Sequence, residues 1–259
     1  GGAARGVAGV TGGFVAAERR MLGATGIAVS RLGIGGGSLV SAAGEAGVQA
    51  VVDAAWEAGL RHFDTAAFYA AGESERRLGR VLAGRPRDSF VLSTKHGRSV
   101  APDGGDLFDY SAAGTEQAVG RALAQLRMTR LDIVFLHDLA PEWHGPAHDR
   151  HFAQAIDEAL PVLRRFQRAG VIGAVGAAMR NHAALLRCAR AAPFDLFMLA
   201  GGTTLLSQDA HAELLPLCLA EGRPVLAAAP FETGLLATGP TAAARYRYRP
   251  PPPEMMERA

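Results

Sequence analysis

The sequence predicts an α/β fold, a (β/α)8 TIM barrel, and two observations support this prediction. From Met21 onward, short apolar runs of strand length alternate with longer stretches of helical periodicity, which is the pattern of βα units around a parallel sheet. Seven strand runs occur in a chain of 259 residues, more than a doubly wound sheet normally holds in this length. The eighth strand and the last helices are missing from the pattern, so we expect a barrel that is incomplete at its carboxyl end.

The predicted strands are apolar runs, and the predicted helices repeat apolar residues three and four positions apart. The strands are expected over residues 32–35, 62–65, 90–94, 133–137, 174–178, 196–199 and 225–228. The helices are expected over residues 48–56, 73–82, 116–126, 152–167, 183–191 and 210–219. Residues 250–259 begin with four prolines and predict a turn followed by the first turn of another helix.

Composition excludes several classes of protein. With 49% hydrophobic and 20% charged residues, the chain can bury a sizeable core and is not of the disordered class. The net charge is +2 without a run of basic residues, which argues against a nucleic-acid partner. No apolar run reaches the roughly 18 residues of a membrane span. Cys188 and Cys218 lie 30 residues apart without CxxC spacing, so neither disulfides nor a metal site is expected, and a reducing cytoplasm fits best.

The domain organisation is simple. Residues 1–20 are rich in glycine and alanine and lack the continuous apolar segment of a signal peptide, so we interpret them as a flexible N-terminal extension. Residues 21–259 are interpreted as a single barrel domain that is incomplete at its carboxyl end.

Lys95 is the only lysine among 27 basic residues. A genome that favours arginine codons explains such a count wherever any cation suffices. Lysine differs from arginine in being able to tune its proton affinity to its surroundings, so the position of Lys95 in the fold decides between the two interpretations.

Four polar residues follow three neighbouring predicted strands, at the barrel end where active sites form. Asp64 and Tyr69 follow the second strand, Lys95 the third, and His137 the fourth. Taken singly, Asp64 is explained as a turn cap, Tyr69 as a rim aromatic and His137 as a core histidine. Taken together, an ammonium favours the phenolate of a tyrosine, a carboxylate keeps a buried ammonium charged, and a histidine orients a carbonyl oxygen. The set predicts proton transfer to a carbonyl oxygen.

Several segments resemble, in order and spacing, the motifs of the aldo-keto reductases over residues 21 to 258. They are Gly-Leu-Arg-His-Phe-Asp-Thr-Ala at 59–66, Tyr69, Glu-Ser-Glu-Arg-Arg-Leu-Gly at 73–79, Leu-Ser-Thr-Lys at 92–95, Leu-Asp-Ile-Val-Phe-Leu-His at 131–137 and Gly-Val-Ile-Gly-Ala-Val-Gly at 170–176. Residues 194–195, 199–201, 204–206, 215–218 and 230–237 are similar to the branch with the aldose, fucose and galactose 1-dehydrogenases and pyridoxal 4-dehydrogenase.

The resemblance implies an oxidoreductase that uses NADP or NAD and a small-molecule carbonyl or sugar substrate. Tyr69 would be the general acid/base, Lys95 would lower its pKa, Asp64 would hold Lys95, and His137 would orient the substrate. Hydride would pass between C4 of the nicotinamide and an aldehyde or hemiacetal carbon, and a cyclic sugar would yield a lactone. An oligomer is compatible with the sequence.

The cofactor residues follow from the same resemblance. Gly36 and Gly37 would let backbone approach the nicotinamide or its ribose, and a flexible turn is the alternative. Gly234 and Leu235 match the loop that covers the pyrophosphate. Asn181 lies one residue after the position, here Arg180, where the family places an amide that holds the carboxamide. The adenosine contacts of the family lie mostly beyond strand 8, so the choice between NAD and NADP stays open.

Phe68, Trp143 and His144 lie on loops at the same mouth and are candidates for a substrate pocket, with unpaired rim aromatics as the alternative. Two other functions are alternatives to this interpretation. A catalytically silent relative that binds nucleotide or a protein partner as a regulator is favoured by the altered loops after strands 5 and 6, where Gly202 and Thr203 replace an Arg-Tyr pair. An unrelated hydrolase or isomerase barrel would need paired carboxylates or a metal cluster at the strand ends, and the sequence provides neither.

Overall fold

The structure, a computed structural model, describes residues 14–39, 44–247 and 249–259. Its centre is a sheet of seven parallel strands whose order along the sheet follows their order along the chain, as in a barrel. They are β3 (Ile34–Gly35), β4 (His62–Asp64), β5 (Val91–His96), β8 (Leu131–His137), β9 (Ile172–Met179), β10 (Leu196–Ala200) and β11 (Val225–Ala228). All seven strand predictions are confirmed, and in the described residues the near-closed barrel ends at β3 and β11.

Helices cover the outside of the barrel. They are α1 (Gly44–Glu57), α2 (Glu73–Leu82), α3 (Ala112–Leu126), α4 (Pro141–His144), α5 (His148–Gln154), α6 (Leu160–Arg168), α7 (His182–Ala191), α8 (Leu214–Ala220), α9 (Leu235–Thr238) and α10 (Pro253–Arg258). The predicted helix over 152–167 is found as α5 and α6, joined by a π-helical segment at Ala155–Ala159. None of the helices in the described ranges combines the length and apolar character that a bilayer crossing requires.

Two antiparallel hairpins were not predicted. The first pairs β1 (Arg19–Met21) with β2 (Ala28–Ser30), and the second pairs β6 (Arg98–Val100) with β7 (Asp106–Phe108). The first hairpin crosses the predicted domain boundary at Met21. Residues 1–13 of the predicted flexible extension lie outside the described residues, and the single-domain interpretation of 21–259 stays a prediction.

Successive side chains of a strand point alternately outward, to the core between the sheet and the helices, and inward, to the core inside the barrel. Outward-facing side chains such as Leu92 and Val134 pack against the helices. Inward-facing ones, among them Val91, Ile133 and Phe135, fill the barrel together with Leu22 and Val29 of the first hairpin. Because side chains alternate along β5, Ser93 and Lys95 point inward as Val91 does. The fold therefore places the only lysine of the chain inside the barrel.

Candidate active site

The structure brings the four predicted catalytic residues together at the carboxyl ends of β4, β5 and β8. The parallel register sets Asp64 beside Ser93, and it sets Lys95 beside Phe135 on the next strand. His137 is the last residue of β8, and Tyr69 lies in the loop between β4 and α2. Neighbouring strands thus supply the carboxylate, the ammonium and the imidazole.

Lys95 is held on several sides. Its side chain is only 2% exposed and forms an ion pair with Asp64, and Nζ donates a hydrogen bond of 2.8 Å to the carbonyl oxygen of Thr65. Ser93 Oγ donates a 2.7 Å hydrogen bond to the other carboxylate oxygen of Asp64. Burial alone would lower the pKa of Lys95, but the negative charge of Asp64 and the interactions of Lys95 with Asp64 and Tyr69 outweigh burial and raise it. Lys95 is a fixed positive charge at neutral pH.

Tyr69 lies between Lys95, His137 and a glycine. Lys95 Nζ is 4.8 Å from the centre of the tyrosine ring, and the ring centres of Tyr69 and His137 are 6.1 Å apart in an edge-on arrangement. The next residues, Ala70 and Ala71, have φ of 48° and 53°, a left-handed conformation uncommon for residues other than glycine. This turn carries the chain from the tyrosine into α2.

His137 is buried and electrically neutral. Burial lowers its pKa to about 4, with Lys95 and Arg98 acting in the same direction and Asp138 opposing them. Its Nδ1 has no hydrogen-bond partner among the described residues. A neutral imidazole carries one N–H donor and one acceptor, so His137 can hydrogen-bond a substrate oxygen without a charge.

The two predicted glycines differ in their surroundings. A Cβ on Gly36 would lie 2.6 Å from Ser74 Oγ and 2.7 Å from the Asp64 carbonyl oxygen, so only glycine lets this chain approach β4. The Gly36 N–H donates to that same carbonyl at 2.6 Å. A Cβ on Gly37 would rest 3.7 Å from the Tyr69 ring, so glycine leaves this side of the ring accessible. Gly36 lies against the Asp64 backbone, and Gly37 adjoins the Tyr69 ring.

Of the predicted pocket residues, Phe68 and Trp143 stand at the mouth with Arg98 between them. The Arg98 guanidinium carbon is 3.8 Å from the Phe68 ring centre and 3.7 Å from that of Trp143. Arg98 also donates to Asp138 at 2.8 Å and to Asp106 through two nitrogens, at 2.9 to 3.1 Å. One arginine of the second hairpin therefore connects three loops around the mouth.

His144, predicted as a pocket residue, is buried behind this rim. Its Nε2 lies 2.9 Å from the Asp138 carbonyl oxygen, and its ring packs 4.4 Å from Phe108 between ring centres. Burial lowers the pKa of His144. Its place in the structure is that of a support for the Asp138 backbone.

The other predicted cofactor residues lie on the β9 to β11 side of the barrel. Asn181 caps α7, with Oδ1 accepting from the Ala184 N–H and Nδ2 donating to Glu142, both at 2.9 Å. The amide keeps one further N–H donor and one further acceptor lone pair. Gly234 has φ of 107° and precedes α9, while the Leu235 side chain is buried in a cluster with Leu206.

Comparison with known proteins agrees with this geometry. The family model of the aldo/keto reductases matches residues 31–257. The chain belongs to the aldo/keto reductase family. It is therefore an NAD(P)-dependent oxidoreductase.

Three proteins of known name or structure are similar to this aldo/keto reductase. It is 37% identical to the D-threo-aldose 1-dehydrogenase of a Pseudomonas species, over 91% of this chain and 76% of that protein. It is 29% identical to the pyridoxal 4-dehydrogenase of Microbacterium luteolum, over 94% and 79%. The holo form of an aldo-keto reductase from Bacillus halodurans superposes with a TM-score of 0.73 at 27% identity, covering 88% of this chain and 71% of the other.

Three residues near the carboxyl end of the barrel were missed from the sequence. Ser93 lies within the Leu-Ser-Thr-Lys motif, and its alternation with Lys95 on one strand was the available signal. Arg98 belongs to a hairpin without apolar periodicity. Glu232 is a buried acid after β11, and nothing in its surrounding sequence marks it as buried. The described residues contain no group of three or more His, Cys, Asp or Glu side chains arranged to hold a metal ion.

Proposed function

We propose that this aldo/keto reductase interconverts an aldose, in its hemiacetal form, or a related hydroxylated aldehyde with its oxidised or reduced partner. The observation that carries the proposal is the set in which Asp64 holds the buried Lys95, Lys95 contacts Tyr69, and neutral, buried His137 lies edge-on to the same ring. Support for a sugar comes from the identity with D-threo-aldose 1-dehydrogenase.

Tyr69 exchanges the proton. In reduction, its O–H donates to the substrate oxygen, and the phenolate that forms is stabilised by the adjacent Lys95 ammonium. Asp64 keeps that ammonium charged and fixed in the barrel. In oxidation, the Tyr69 phenolate takes the hydroxyl proton, and a cyclic aldose becomes a lactone. The His137 N–H donates to the same oxygen and orients it.

A bound NADH or NADPH would supply the hydride in reduction, and a bound NAD⁺ or NADP⁺ would accept it in oxidation. We assign Gly37, Gly234 and Leu235 to its binding, because Gly37 leaves one side of the Tyr69 ring accessible and a Cβ on Gly234 would meet nothing within 4 Å. We assign Asn181 to the same site through the donor and acceptor positions that its two existing hydrogen bonds leave unused. Gly36 acts indirectly, through the backbone of Asp64.

The mouth favours an uncharged substrate. Phe68 and Trp143 present aromatic surface on which the apolar faces of a sugar can pack. Arg98 is the cation between them, but its donors are engaged by two carboxylates, Asp106 and Asp138. We therefore propose a neutral sugar or hydroxyaldehyde as substrate, in preference to a sugar acid or phosphate.

The test is a titration of the full chain with NADH and NADPH, followed by turnover with a panel of neutral aldoses, sugar phosphates and simple aldehydes. Trp143 stands at the mouth and reports binding by fluorescence quenching, while Trp56 packs under Arg61 and Arg85 on the outside of the barrel. Trp56→Phe removes this background signal. We expect one nucleotide to bind and neutral aldoses to be the best substrates. Nucleotide binding without turnover of any carbonyl or sugar would favour the silent regulator instead.

A further inference from the structure

A pocket separate from the mouth lies between the barrel and its outer helices. Its volume is about 270 Å³, and its walls come from β5, α2, α3, the second hairpin and the loop that carries Tyr69. Thr94 and His96 line it, and they point outward because Lys95 between them points inward. The pocket therefore borders β5 on the side away from the Lys95 ammonium.

Two polar side chains in the wall of this pocket have unused hydrogen-bonding capacity. Glu75 is 1% exposed, and its Oε1 accepts a 2.5 Å hydrogen bond from Thr94 Oγ1. Its Oε2 receives no hydrogen bond from any described residue. Within the described ranges, the side-chain amide of Gln125 also lacks a hydrogen-bond partner. Because buried polar groups in native proteins are normally hydrogen-bonded, these atoms indicate a polar occupant.

The charges around the pocket favour a neutral occupant. Burial raises the pKa of Glu75, which favours the uncharged carboxyl and leaves little charge to hold a cation. Three cations oppose this shift, namely Lys95, Arg121 and Arg76. Lys95 and Arg76 are each paired with an acid, and Arg121 is exposed to solvent on α3. None of the three is therefore a buried, unpaired cation that could hold an anion.

A small polyhydroxy molecule matches the chemistry of the wall. A hydroxyl group both donates and accepts, so it can pair with Glu75 Oε2 in either protonation state and with the Gln125 amide. Much of the remaining wall is apolar, including Val119, Ala122 and Val134, and the C–H faces of a sugar ring can pack there. A cavity of about 150 Å³ already admits benzene. The larger pocket has room for a six-membered ring with its hydroxyls.

The pocket also reaches the turn that positions Tyr69. Ala71 and Gly72 belong to this turn and line the pocket, and their φ values are 53° and 80°. A Cβ on Gly72 would lie 2.8 Å from Gln125 Oε1, so the amide lies directly against the turn. The left-handed conformation is costly for alanine, so a ligand that contacts the turn in this arrangement favours it over the alternatives.

We propose that this pocket binds a neutral cyclic polyol or sugar, with hydroxyls on Glu75 Oε2 and the Gln125 amide. Its occupant stabilises the turn that places Tyr69 beside Lys95, and so raises kcat without reacting. The inference goes beyond the proposed function. Its binding half stands without that function, and its kinetic half rests on it.

The probe is 1,5-anhydroglucitol, a six-membered sugar ring without the anomeric hydroxyl, which therefore cannot be oxidised to a lactone. It is titrated into the full chain carrying ¹³C-methyl alanine, and the methyl signals are followed by NMR. We expect a Kd of order 1 mM. The exposed Ala124 of α3 should not respond. The signals that should shift together belong to the alanines of the pocket wall, Ala67, Ala71, Ala118 and Ala122.

Cyclohexanol, a ring of the same size with one hydroxyl, is the matched ligand. It should bind at least about tenfold more weakly, because one hydroxyl cannot satisfy both Glu75 and Gln125. Equal or tighter binding of cyclohexanol would show that the pocket selects apolar molecules and would overturn the proposal.

Two variants localise the site. Ala122→Leu fills the pocket and should abolish binding, whereas Ala124→Leu, on the exposed side of the same helix, should bind as the parent does. Gln125→Met removes the amide and keeps the shape, and binding should weaken about tenfold. Gln117→Met, at an exposed position of α3, is its control. Urea unfolding checks that all four variants are folded.

The kinetic half is tested at saturating aldose. Adding 1,5-anhydroglucitol should raise kcat about twofold or more in the parent protein and leave kcat of Ala122→Leu unchanged. A rise in KM with unchanged kcat would place the probe at the mouth and overturn the proposal. Shifts of the pocket alanines that persist in Ala122→Leu, or no shifts in the parent, would also overturn it. If no sugar or carbonyl is turned over, the proposed function fails, while the NMR titration still decides the binding half.

Discussion

Lys95 Nζ lies 4.8 Å from the centre of the Tyr69 ring, and burial keeps bulk water from screening this contact. Coulomb interactions strengthen as the local dielectric falls, so this ammonium acts on the phenol more strongly than one at the surface would. Asp64 pairs with the same ammonium and keeps it charged. Substitutions in this set should separate proton transfer from binding.

Tyr69→Phe should abolish most turnover and leave nucleotide affinity nearly unchanged. The ring that contacts Gly37 and His137 is kept, and only the exchangeable proton is lost. Loss of a general acid/base reduces kcat by about 100-fold or more. Steady-state kinetics and a nucleotide titration measure the two effects, with Tyr246→Phe, in the cluster around Leu235, as control. Retained turnover would remove tyrosine from the proposed proton path.

Lys95→Arg keeps the charge but should reduce kcat at least tenfold, because a wide planar guanidinium replaces a compact ammonium with a tunable pKa. Arg121→Lys, the reverse exchange at an exposed site on α3, is the control. Full activity in Lys95→Arg would show that any cation suffices at this position.

Arg98→Met should raise KM for the carbonyl or sugar about tenfold with little effect on nucleotide affinity, because Phe68 and Trp143 lose the guanidinium between them. It also leaves Asp138 unopposed beside His137. Since Arg98 helps to lower the pKa of His137 to about 4, that pKa should rise, and the acid side of the activity profile should move to higher pH.

Arg187→Met removes a comparable arginine, stacked on Phe152 and paired with Asp149 on the outer surface. It should change neither KM nor the pH profile. Equal effects of the two substitutions would show that Arg98 has no specific part at the mouth.

Alanine substitutions at two adjacent glycines should affect different properties, stability at Gly36 and cofactor binding at Gly37. Gly36→Ala forces a Cβ against Ser74 and the Asp64 backbone, and we expect the free energy of unfolding to fall by about 1–3 kcal/mol. Gly37→Ala places a methyl at ordinary contact distance from the Tyr69 ring, so stability should hold while nucleotide affinity and kcat fall. Urea unfolding and nucleotide titration of both variants test this. Unchanged binding and turnover in Gly37→Ala would exclude Gly37 from the cofactor site.

Buried histidines should make the fold sensitive to acid. Burial lowers the pKa of His96, on β5, to about 4, whereas the unfolded chain keeps a value near 6.5. Between these values the unfolded state binds more protons, so stability falls as the pH drops from about 6.5 toward 4. His96→Gln should therefore lose about 2 kcal/mol less than the parent protein between pH 7 and 5.

Urea denaturation at the two pH values measures this difference, and the exposed His211→Gln is the control. The same loss of stability in His96→Gln and the parent protein would mean that His96 takes up no proton on unfolding.

The sequence predicted the barrel well because its signals are local or periodic. Each strand of the sheet is a short apolar run, and the polar residue that follows it is fixed at the mouth by parallel register alone. Asp64, Lys95 and His137 could therefore be assigned without coordinates. The β6 and β7 strands read Arg-Ser-Val and Asp-Leu-Phe, too short and too polar for a period to be recognised.

The remaining site residues depend on contacts between distant segments. Arg98 acts through Asp138, 40 residues away, and Glu232 is buried and accepts a hydrogen bond from Thr204, 28 residues away. Asn181 lies next to the position of a family amide, yet its side chain caps α7 because it also begins a helix, where asparagine is favoured. The hydrogen bonds of the Asn181 side chain are therefore determined by its position at the start of α7 more than by its position at the end of the barrel.

The burial of Lys95 leaves the folded protein, a chain with one lysine, with no side-chain amine facing solvent. Amine-directed chemistry, whether acylation, cross-linking or enzymatic lysine modification, can reach that side chain only when the barrel opens at β5. The rate at which an acylating reagent labels Lys95 therefore measures how often the active site opens. Any molecule that binds against Tyr69 should lower this labelling rate.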